Sequence, residues 1–225
     1  EKEAKLKKYT GGSIYYDHCS QDIFISHQLS LRDGETLRAK HKYEGYCKQR
    51  GIVVRHYHAD NTPFGNTMYS DDCKKQKQDL TFSGVGAYHQ NAVAERAIRT
   101  ITNWSRTMIL HHILHWPDTA NLEIWPFAMK HVIFVWNNLP KKGIRLAPVE
   151  LLSRSKFQDY SHLTSLAVWG CPVYVLDPTL QDGKKLPKWK ARSRRGLYLG
   201  TSDAHANTVG RILNLSSGYI SPQYH

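Results

Sequence analysis

Residues 86–108 read GAYHQNAVAERAIRTITNWSRTM, and this stretch predicts the helix around which the rest of the chain is organised. Its apolar residues recur at steps of three or four and therefore share one side of a helix: Val93, Ala97, Ile101, Trp104 and Met108. Polar residues recur in the same way on another side: Glu95, Arg99, Thr102 and Arg106. One face can therefore be buried while the other presents a single carboxylate followed by guanidinium groups.

Glu95 has two interpretations. A carboxylate in the first turn of a helix interacts favourably with the helix dipole, which is the simpler one. A second acid, Asp60, ends a predicted strand 95 − 60 = 35 positions earlier. A strand end beside a helix start can bring two carboxylates together, and such pairs bind hard divalent cations that act in phosphoryl transfer.

The charge balance suggests a polyanionic partner. Lys and Arg number 31 and Asp and Glu 19, which gives a net charge of +12. Such an excess is typical of nucleic-acid binding, although a basic surface that only confers solubility is the alternative. Forty per cent hydrophobic residues indicate a globular chain.

The cysteine and histidine pattern favours an intracellular protein without a zinc site. The four cysteines form no CxxC pair, and reduced structural thiols are the expectation. His111, His112 and His115 bunch at a helix end without a cysteine pair, so zinc is a weak hypothesis. No secretory signal is present, and the densest apolar run, 132–136, is too short to span a bilayer. We expect a soluble protein of the cytoplasm or nucleus.

The order of predicted elements is that of an α/β (α+β) domain. Short β runs at 14–17 and 23–27 predict a hairpin, and a helix follows over 33–50. A strand is predicted from residue 52 to 60 and another over 80–82, with a polar stretch between them. The helix opened by residues 86–91 is expected to end near His112, before helices over 125–137 and from Pro148.

Residues 1–155 and 156–225 are predicted to form two domains. The second is expected to be a small basic β-module, with strands over 167–176 and 196–200 and a hairpin over 209–224. Its segment 184–195, KKLPKWKARSRR, holds seven basic residues and no acid: Lys184, Lys185, Lys188, Lys190, Arg192, Arg194 and Arg195. This run is predicted to contact DNA, with a nuclear import signal or a solvated loop as alternatives. Trp189 within it could stack on a base or anchor the loop.

Several long blocks resemble the integrase region of copia-type LTR retrotransposon polyproteins, and the likeness spans nearly the whole chain. The blocks are HADNT (58–62), GAYHQNAVAERAIRTI (86–101), WPFAMKHVIFVWNNLP (125–140), APVELL (147–152), LAVWGCPVYVLDP (166–178) and RSRRGLYLG (192–200).

The resemblance implies an RNase H-like mixed sheet flanked by helices, followed by a small SH3-like module. It also implies a D,D,E site for two Mg²⁺ or Mn²⁺ ions that joins element DNA to target DNA, within a homo-oligomer. By this likeness Asp60 and Glu95 are the second and third acids.

The first acid is not matched in this chain. An RNase H-like sheet has three strands before its first helix, whereas only two precede the helix at 33–50, so the first strand is expected to be missing. Asp17 matches a family aspartate at the hairpin turn and is considered as a site residue, although bonding to local backbone amides is its simpler role. Thr62 and Ala92 replace glycines that are common in the family.

Residues near the two acids are predicted to contact DNA, and each has a structural alternative. The polar turn before the helix can touch the cleaved strand or cap the helix. The arginines are predicted to bind phosphate rather than form surface ion pairs. These residues are His89, Gln90, Asn91, Arg99 and Arg106.

Three functions are consistent with the sequence. The leading hypothesis is DNA integration, meaning metal-dependent 3′-end processing and strand transfer. The second is a DNA-binding or assembly fragment of a decayed integrase that lacks catalysis, as the missing acid suggests. The third is a ribonuclease H, which would share the fold and metals but would not be expected to carry the basic module.

Overall fold

The computed structural model describes residues 4–84, 91–157, 159–181, 183–206 and 208–224. The chain divides into two compact units, each built from separate stretches of sequence. We call residues 8–103 and 133–158 the core unit, and residues 1–7, 104–132 and 159–225 the C-terminal unit. One boundary, 158/159, lies close to the predicted one at 155/156, but residues 104–132 group with the C-terminal strands. The two contiguous domains stay a prediction.

The core unit is a mixed α/β structure. Its elements are β2 (Gly11–Tyr16), β3 (Ile23–Gln28), α1 (Asp33–Lys48), β4 (His56–Ala59), α2 (Asn61–Phe64), α3 (Thr67–Lys75), β5 (Asp79–Phe82), the start of α4 (Ala92–His115), the end of α5 (Trp125–Asn138) and α6 (Pro148–Ser153). The predicted hairpin, the first helix, the helix after residue 91 and the helix at Pro148 are confirmed.

The strands of the core unit form two separate pairs. β2 and β3 are antiparallel, with Ile14 opposite Ile25, and β4 and β5 are parallel, with Tyr57 opposite Leu80. Within the described ranges neither β2 nor β4 hydrogen-bonds to a further strand. Each therefore has one open edge.

Tyrosines dominate the interior of the core unit. Tyr15 stacks on Tyr43 with 4.5 Å between ring centroids, and Tyr57 meets both rings edge-on. Tyr69 from α3 packs against Tyr57 at 5.8 Å. Aromatic pairs in these geometries add stability beyond the burial of their area, so this cluster joins the hairpin, α1, α3 and β4.

Helix α3 is an element that the sequence reading missed. It covers Thr67–Lys75, within the polar stretch for which the sequence predicts no element, while β4 begins at His56 rather than at residue 52. The Asn66 side chain caps the helix by accepting the Tyr69 N–H at 2.8 Å. Tyr69 and Cys73, one turn apart, are the two buried side chains of this helix, and its other side chains are exposed or half-buried.

Helix α4 confirms the predicted amphipathic pattern, with one correction. Ala97 and Ile101 are buried, but the buried stripe continues through Ser105 and His112, whereas Trp104 is 39% exposed. The prediction that Trp104 is a core residue is therefore wrong. The helix ends at His115, one turn beyond the expected end.

Helix α5 is confirmed over Trp125–Asn138 and holds the start of β3. The Asn137 side chain accepts the N–H of Ile23 at 2.9 Å and donates to its carbonyl at 2.8 Å. The Trp136 indole donates to the Gln21 carbonyl at 3.0 Å. These bonds fix the hairpin turn that carries Asp17.

The C-terminal unit contains an antiparallel five-stranded sheet in the order β1-β9-β8-β7-β6. Its elements are β1 (Ala4–Lys5), the end of α4, 3₁₀ turns at Pro117–Thr119 and Leu122–Ile124, the start of α5, α7 (Ser161–Thr164), β6 (Pro172–Leu176), α8 (Pro178–Gln181), β7 (Ser193–Thr201), β8 (Val209–Asn214) and β9 (Tyr219–Tyr224). The predicted β-rich module and its last hairpin are confirmed, although β6 begins five residues later than expected. Its SH3-like character stays a prediction.

His112 is buried between two backbone carbonyls, which excludes the weak zinc hypothesis for this ring. Nδ1 lies 2.9 Å from the Gly170 carbonyl oxygen and Nε2 lies 3.2 Å from that of Thr119. Both ring nitrogens are therefore engaged with backbone.

No helix among the described residues combines the length and the hydropathy that crossing a bilayer requires.

Gly170 is expected to tolerate no side chain. A Cβ there would lie 2.8 Å from His112 Nδ1, at φ +78°, so Gly170→Ala combines a steric clash with a left-handed backbone. Gly218→Ala is the matched control, because its φ is +71° and its Cβ would meet nothing within 4 Å. We expect a loss of about 1 kcal/mol of unfolding free energy for the control and about 2–4 kcal/mol for Gly170→Ala. Urea unfolding measures both, and equal losses would contradict this packing.

His131 is expected to make the C-terminal unit sensitive to acid. Its ring is buried, and burial lowers its pKa to about 4. The unfolded chain binds a proton at His131 below about pH 6.5, whereas the folded protein excludes that proton until about pH 4. The contribution of the neutral ring to the unfolding free energy is therefore fully present above pH 6.5 and decreases as the pH falls toward 4. We expect a loss of about 1.4 kcal/mol per pH unit in this window.

The measurement is the unfolding free energy of the unchanged protein minus that of His131→Gln, determined at several pH values. This difference should shrink on acidification, whereas exposed His115→Gln should leave the pH dependence unchanged. A difference that stays constant between pH 7 and 4.5 would refute the assignment.

Candidate functional site

A cleft of about 820 Å³ lies within the core unit and receives the predicted acids. Two uninterrupted runs line it, residues 12–18 of the hairpin and residues 52–60 around β4. Helix α4 contributes further lining residues near its start: Asn91, Ala94, Glu95 and Ile98.

The lining pattern shows which part of each strand faces the cleft. Successive side chains of a strand point to opposite faces of its sheet, so a cleft against one face would be lined by alternate residues. Here β2 and β4 contribute consecutive residues. The cleft therefore runs along the open backbone edges of β2 and β4.

Asp60 and Glu95 line this one cleft, although they come from different elements. Asp60 directly follows β4 and Glu95 lies in the first turn of α4. Both side chains are exposed to solvent. The structure thus brings together the two acids that the sequence predicted as a pair.

Asp17 also lines the cleft, but its carboxylate serves the hairpin turn. Its Oδ2 accepts the Ser20 N–H at 2.7 Å and the Ser20 hydroxyl at 2.6 Å. The backbone of Asp17 is bonded to Asp22 and Gln21 across the same turn. This is the local hydrogen bonding that the sequence suggested as its simpler role.

The chemistry of the cleft acids fits a hard divalent cation. Two exposed carboxylates supply the oxygen ligands that Mg²⁺ or Mn²⁺ prefers and leave positions for water and phosphate. In the described ranges, no cluster of three His, Cys, Asp or Glu ligand atoms within metal-binding distance includes Asp60 or Glu95. The predicted two-ion site stays a prediction.

His58 lies beside the acids but is already engaged. Its Nδ1 is 2.9 Å from the Thr81 hydroxyl, and its Nε2 is 3.4 Å from the Ser83 hydroxyl. Both partners belong to β5 or directly follow it, so the ring helps to fix the parallel pair that ends at Asp60.

The predicted DNA-contact residues lie in several places. Asn91 lines the cleft, and Arg99 is exposed one turn beyond Glu95. Arg106 is exposed on the part of α4 that belongs to the C-terminal unit. His89 and Gln90 lie outside the described residues.

The basic run, 184–195, lies in the C-terminal unit as a solvent-exposed connection into β7. Arg194 and Arg195 are part of that strand, and the five other basic residues precede it. Arg194 is half-buried and the other six are exposed. Arg195 forms an ion pair with Asp118 at 2.7 Å, so its guanidinium is partly engaged within the protein.

A buried lysine, which the sequence did not indicate as important, supports β4, the strand that leads to Asp60. The Lys40 ammonium is fully buried and lies 2.7 Å from Glu44 and 2.6 Å from Asp72. Glu44 also accepts hydrogen bonds from the Tyr57 hydroxyl at 3.1 Å and from the Gln78 amide at 2.7 Å. The Lys40–Glu44 spacing of four residues is visible in the sequence, but the contact with Asp72 is not.

This network also explains a cluster that resembles a metal site. Ligand atoms of His41, Glu44 and Asp72 lie within 4.8 Å of one another. The Lys40 ammonium already provides the positive charge there, bonded to both carboxylates. Burial acts to raise the pKa of Asp72, but hydrogen bonds from Lys40 and His41 lower it overall.

Comparison with solved structures supports the fold. A chain of the cryo-EM structure of the simian T-cell lymphotropic virus intasome in complex with PP2A regulatory subunit B56 gamma matches 99% of this chain and 74% of its own length, with 12% identity and a TM-score of 0.51. The HTLV-2 integrase catalytic core domain in complex with magnesium matches 66% of this chain in its trimeric form and 67% in its dimeric form. These matches cover 89% and 90% of the HTLV-2 chains, at 16% and 17% identity, each with a TM-score of 0.47.

No protein-family model and no curated protein matches the sequence. At 12% identity, the likeness to the intasome chain shows a shared fold and nothing more. The chain is thus a mixed α/β protein, as the fold prediction expected, and it shares its fold with a chain of that intasome.

The Lys40 network predicts different outcomes at two adjacent acids. Asp72→Asn replaces one of the two carboxylates that pair with the buried Lys40 ammonium by a neutral amide, and we expect a loss of about 2 kcal/mol in unfolding free energy. Asp71→Asn changes a carboxylate that forms an exposed ion pair with Lys74 at 3.3 Å, and we expect a loss below about 0.5 kcal/mol. Urea denaturation distinguishes them, and equal stability of the two variants would argue against the network.

Proposed function

We propose that this chain is the integrase region of a copia-type LTR retrotransposon, which processes the 3′ ends of element DNA and joins them to target DNA. The observation that carries the proposal is the convergence of Asp60 and Glu95 on one cleft. The ordered sequence blocks and the shared fold support the family, and the net charge of +12 supports a DNA partner.

Asp60 and Glu95 would hold Mg²⁺ or Mn²⁺ through exposed carboxylate oxygens. When bound, such an ion supplies activation of the attacking oxygen and stabilisation of the leaving oxygen in phosphoryl transfer. Arg99, exposed one turn beyond Glu95, would bind a phosphate of the DNA strand that reacts at the ion. Asn91 at the start of α4 can hydrogen-bond that strand from the wall of the cleft.

We infer further that the cleft accommodates one more β-strand between β2 and β4. A strand there could hydrogen-bond to β2 on one side and β4 on the other, which would satisfy both open edges. It would also enter the cleft that holds Asp60 and Glu95, where it could supply the first acid of a D,D,E site. The engagement of Asp17 with Ser20 supports a separate first acid.

The remaining parts of the proposal concern the assembly. Joining two DNA ends requires more than one active site, so we propose a homo-oligomer that binds double-stranded DNA in the nucleus or cytoplasm. The exposed basic run of the C-terminal unit would contribute to DNA binding.

The test is strand transfer by protein carrying the natural upstream sequence, with labelled element-end DNA and Mg²⁺. Glu95→Gln and Asp60→Asn should each lower joining by about a hundredfold or more, because each removes one charged ligand. Glu123→Gln, a change at an exposed acid of the C-terminal unit, is the matched control and should join DNA normally.

DNA binding in EDTA, measured by fluorescence anisotropy, should be equal for all these proteins. Normal joining by Glu95→Gln would overturn the assignment of the site. If the unchanged protein binds DNA but does not join it, the alternative of a DNA-binding or assembly fragment is favoured. One observation already favours that alternative: among the described residues, the third acid of the cleft, Asp17, is bonded to Ser20. Cleavage of RNA–DNA hybrids without joining would indicate a ribonuclease H.

A further inference from the structure

Trp189 is the most exposed large apolar side chain described in the C-terminal unit. It lies in a turn closed by the Lys190 N–H, which donates to the Pro187 carbonyl at 3.0 Å. Its side chain is 90% exposed. A ring so far out in solvent does not anchor the loop, which was one of the two roles that the sequence left open.

The surroundings of Trp189 are strongly basic. Lys188 places its ammonium 5.3 Å from the centroid of the indole ring. Lys190 and Arg192 follow directly and are exposed, as are Lys184 and Lys185 earlier in the segment. A partner that approaches this ring must therefore accept several positive charges at once, which favours a polyanion over a neutral protein surface.

A second exposed aromatic residue belongs to the strand beside this loop. Tyr174 of β6 is 75% exposed and is the Cα partner of Arg195 in β7. The Asp177 N–H donates to the Arg192 carbonyl at 2.8 Å, which ties the end of the basic loop to the end of β6. Both aromatic rings are thus attached to the same pair of strands.

We propose that the C-terminal unit binds unpaired nucleotides, with bases stacked on Trp189 and Tyr174 and phosphates bound by the neighbouring cations. Exposed aromatic rings interleaved with Lys and Arg are the usual means of binding single strands, because every base offers a flat face. In a duplex those faces are covered by neighbouring bases, so the rings would contribute little. The activity needs no metal and is separate from the cleft.

The experiment uses the full 225-residue chain in EDTA. Fluorescence anisotropy measures its affinity for labelled oligothymidylate of about 20 nucleotides and for a duplex of the same length. Trp189→Ala should weaken single-strand binding about tenfold or more but duplex binding less than twofold, since stacking is lost while the charges remain. Trp189→Phe, which keeps a stacking ring, should restore most of the affinity.

Tyr224→Ala is the matched control. Tyr224 is 81% exposed, but it belongs to β9, which β8 and β7 separate from β6 in the sheet. This variant should bind both nucleic acids within about twofold of the unchanged protein. Because Tyr224 and Trp189 are both highly exposed, neither substitution is expected to unfold the protein. Circular dichroism of each variant checks that the fold is retained.

Three results would overturn the inference. They are equal losses for Trp189→Ala and Tyr224→Ala, an equal loss of duplex and single-strand binding, or unchanged binding by Trp189→Ala. An oligouridylate of the same length tests whether RNA is bound in the same way as DNA. The readout here is binding in EDTA and not strand transfer, so failure of this inference and failure of the integrase assignment are separable.

Discussion

The buried ammonium of Lys40 is the constraint on which the core unit depends. A charge removed from water destabilises the fold by several kcal/mol unless it is paired and hydrogen-bonded. Its two carboxylates, Glu44 and Asp72, come from α1 and α3, so those helices must meet in one arrangement. Glu44 then accepts the hydroxyl of Tyr57, and β4, which carries that tyrosine, leads directly to Asp60. A salt bridge behind the cleft-lining rings of Tyr57 and Tyr69 thus fixes one wall of the cleft.

The other wall depends on Asn137. Because its side chain bonds both backbone groups of Ile23, helix α5 holds the start of β3, and β3 in turn holds β2 through the antiparallel ladder. The outer edge of β2 and the edge of β4 remain open between these two supports. Open edges favour pairing with another strand, and soluble proteins normally cover or disrupt them. A cleft with such edges on both sides is therefore better understood as a place for a strand than as a pocket for a small ligand.

Local patterns predicted most of the elements, and they failed where distant residues decide. The period of α4, the hairpin at residues 14–27 and the location of Asp60 and Glu95 on one cleft followed from spacing and from the blocks that resemble copia-type integrases. Helix α3 did not follow, because only Tyr69 and Cys73 are buried in an otherwise polar stretch. The Lys40–Asp72 contact joins residues 32 positions apart and has no local signal. The buried stripe of α4 continues through Ser105, whereas the indole of Trp104 remains partly exposed to solvent.

The two proposed surfaces place opposite demands on the chain. If the cleft acids share an ion, they must keep a fixed separation, and they follow a strand and begin a helix that buried contacts hold in place. Trp189 and its neighbouring cations must instead reach bases and phosphates of variable geometry, and they occupy a loop with few internal contacts. Loss of the loop residues should therefore alter recognition without altering the fold, whereas loss of Lys40 or Asn137 would disturb the cleft before any DNA is bound. In the two proposals, stability and nucleic-acid recognition thus depend on different residues.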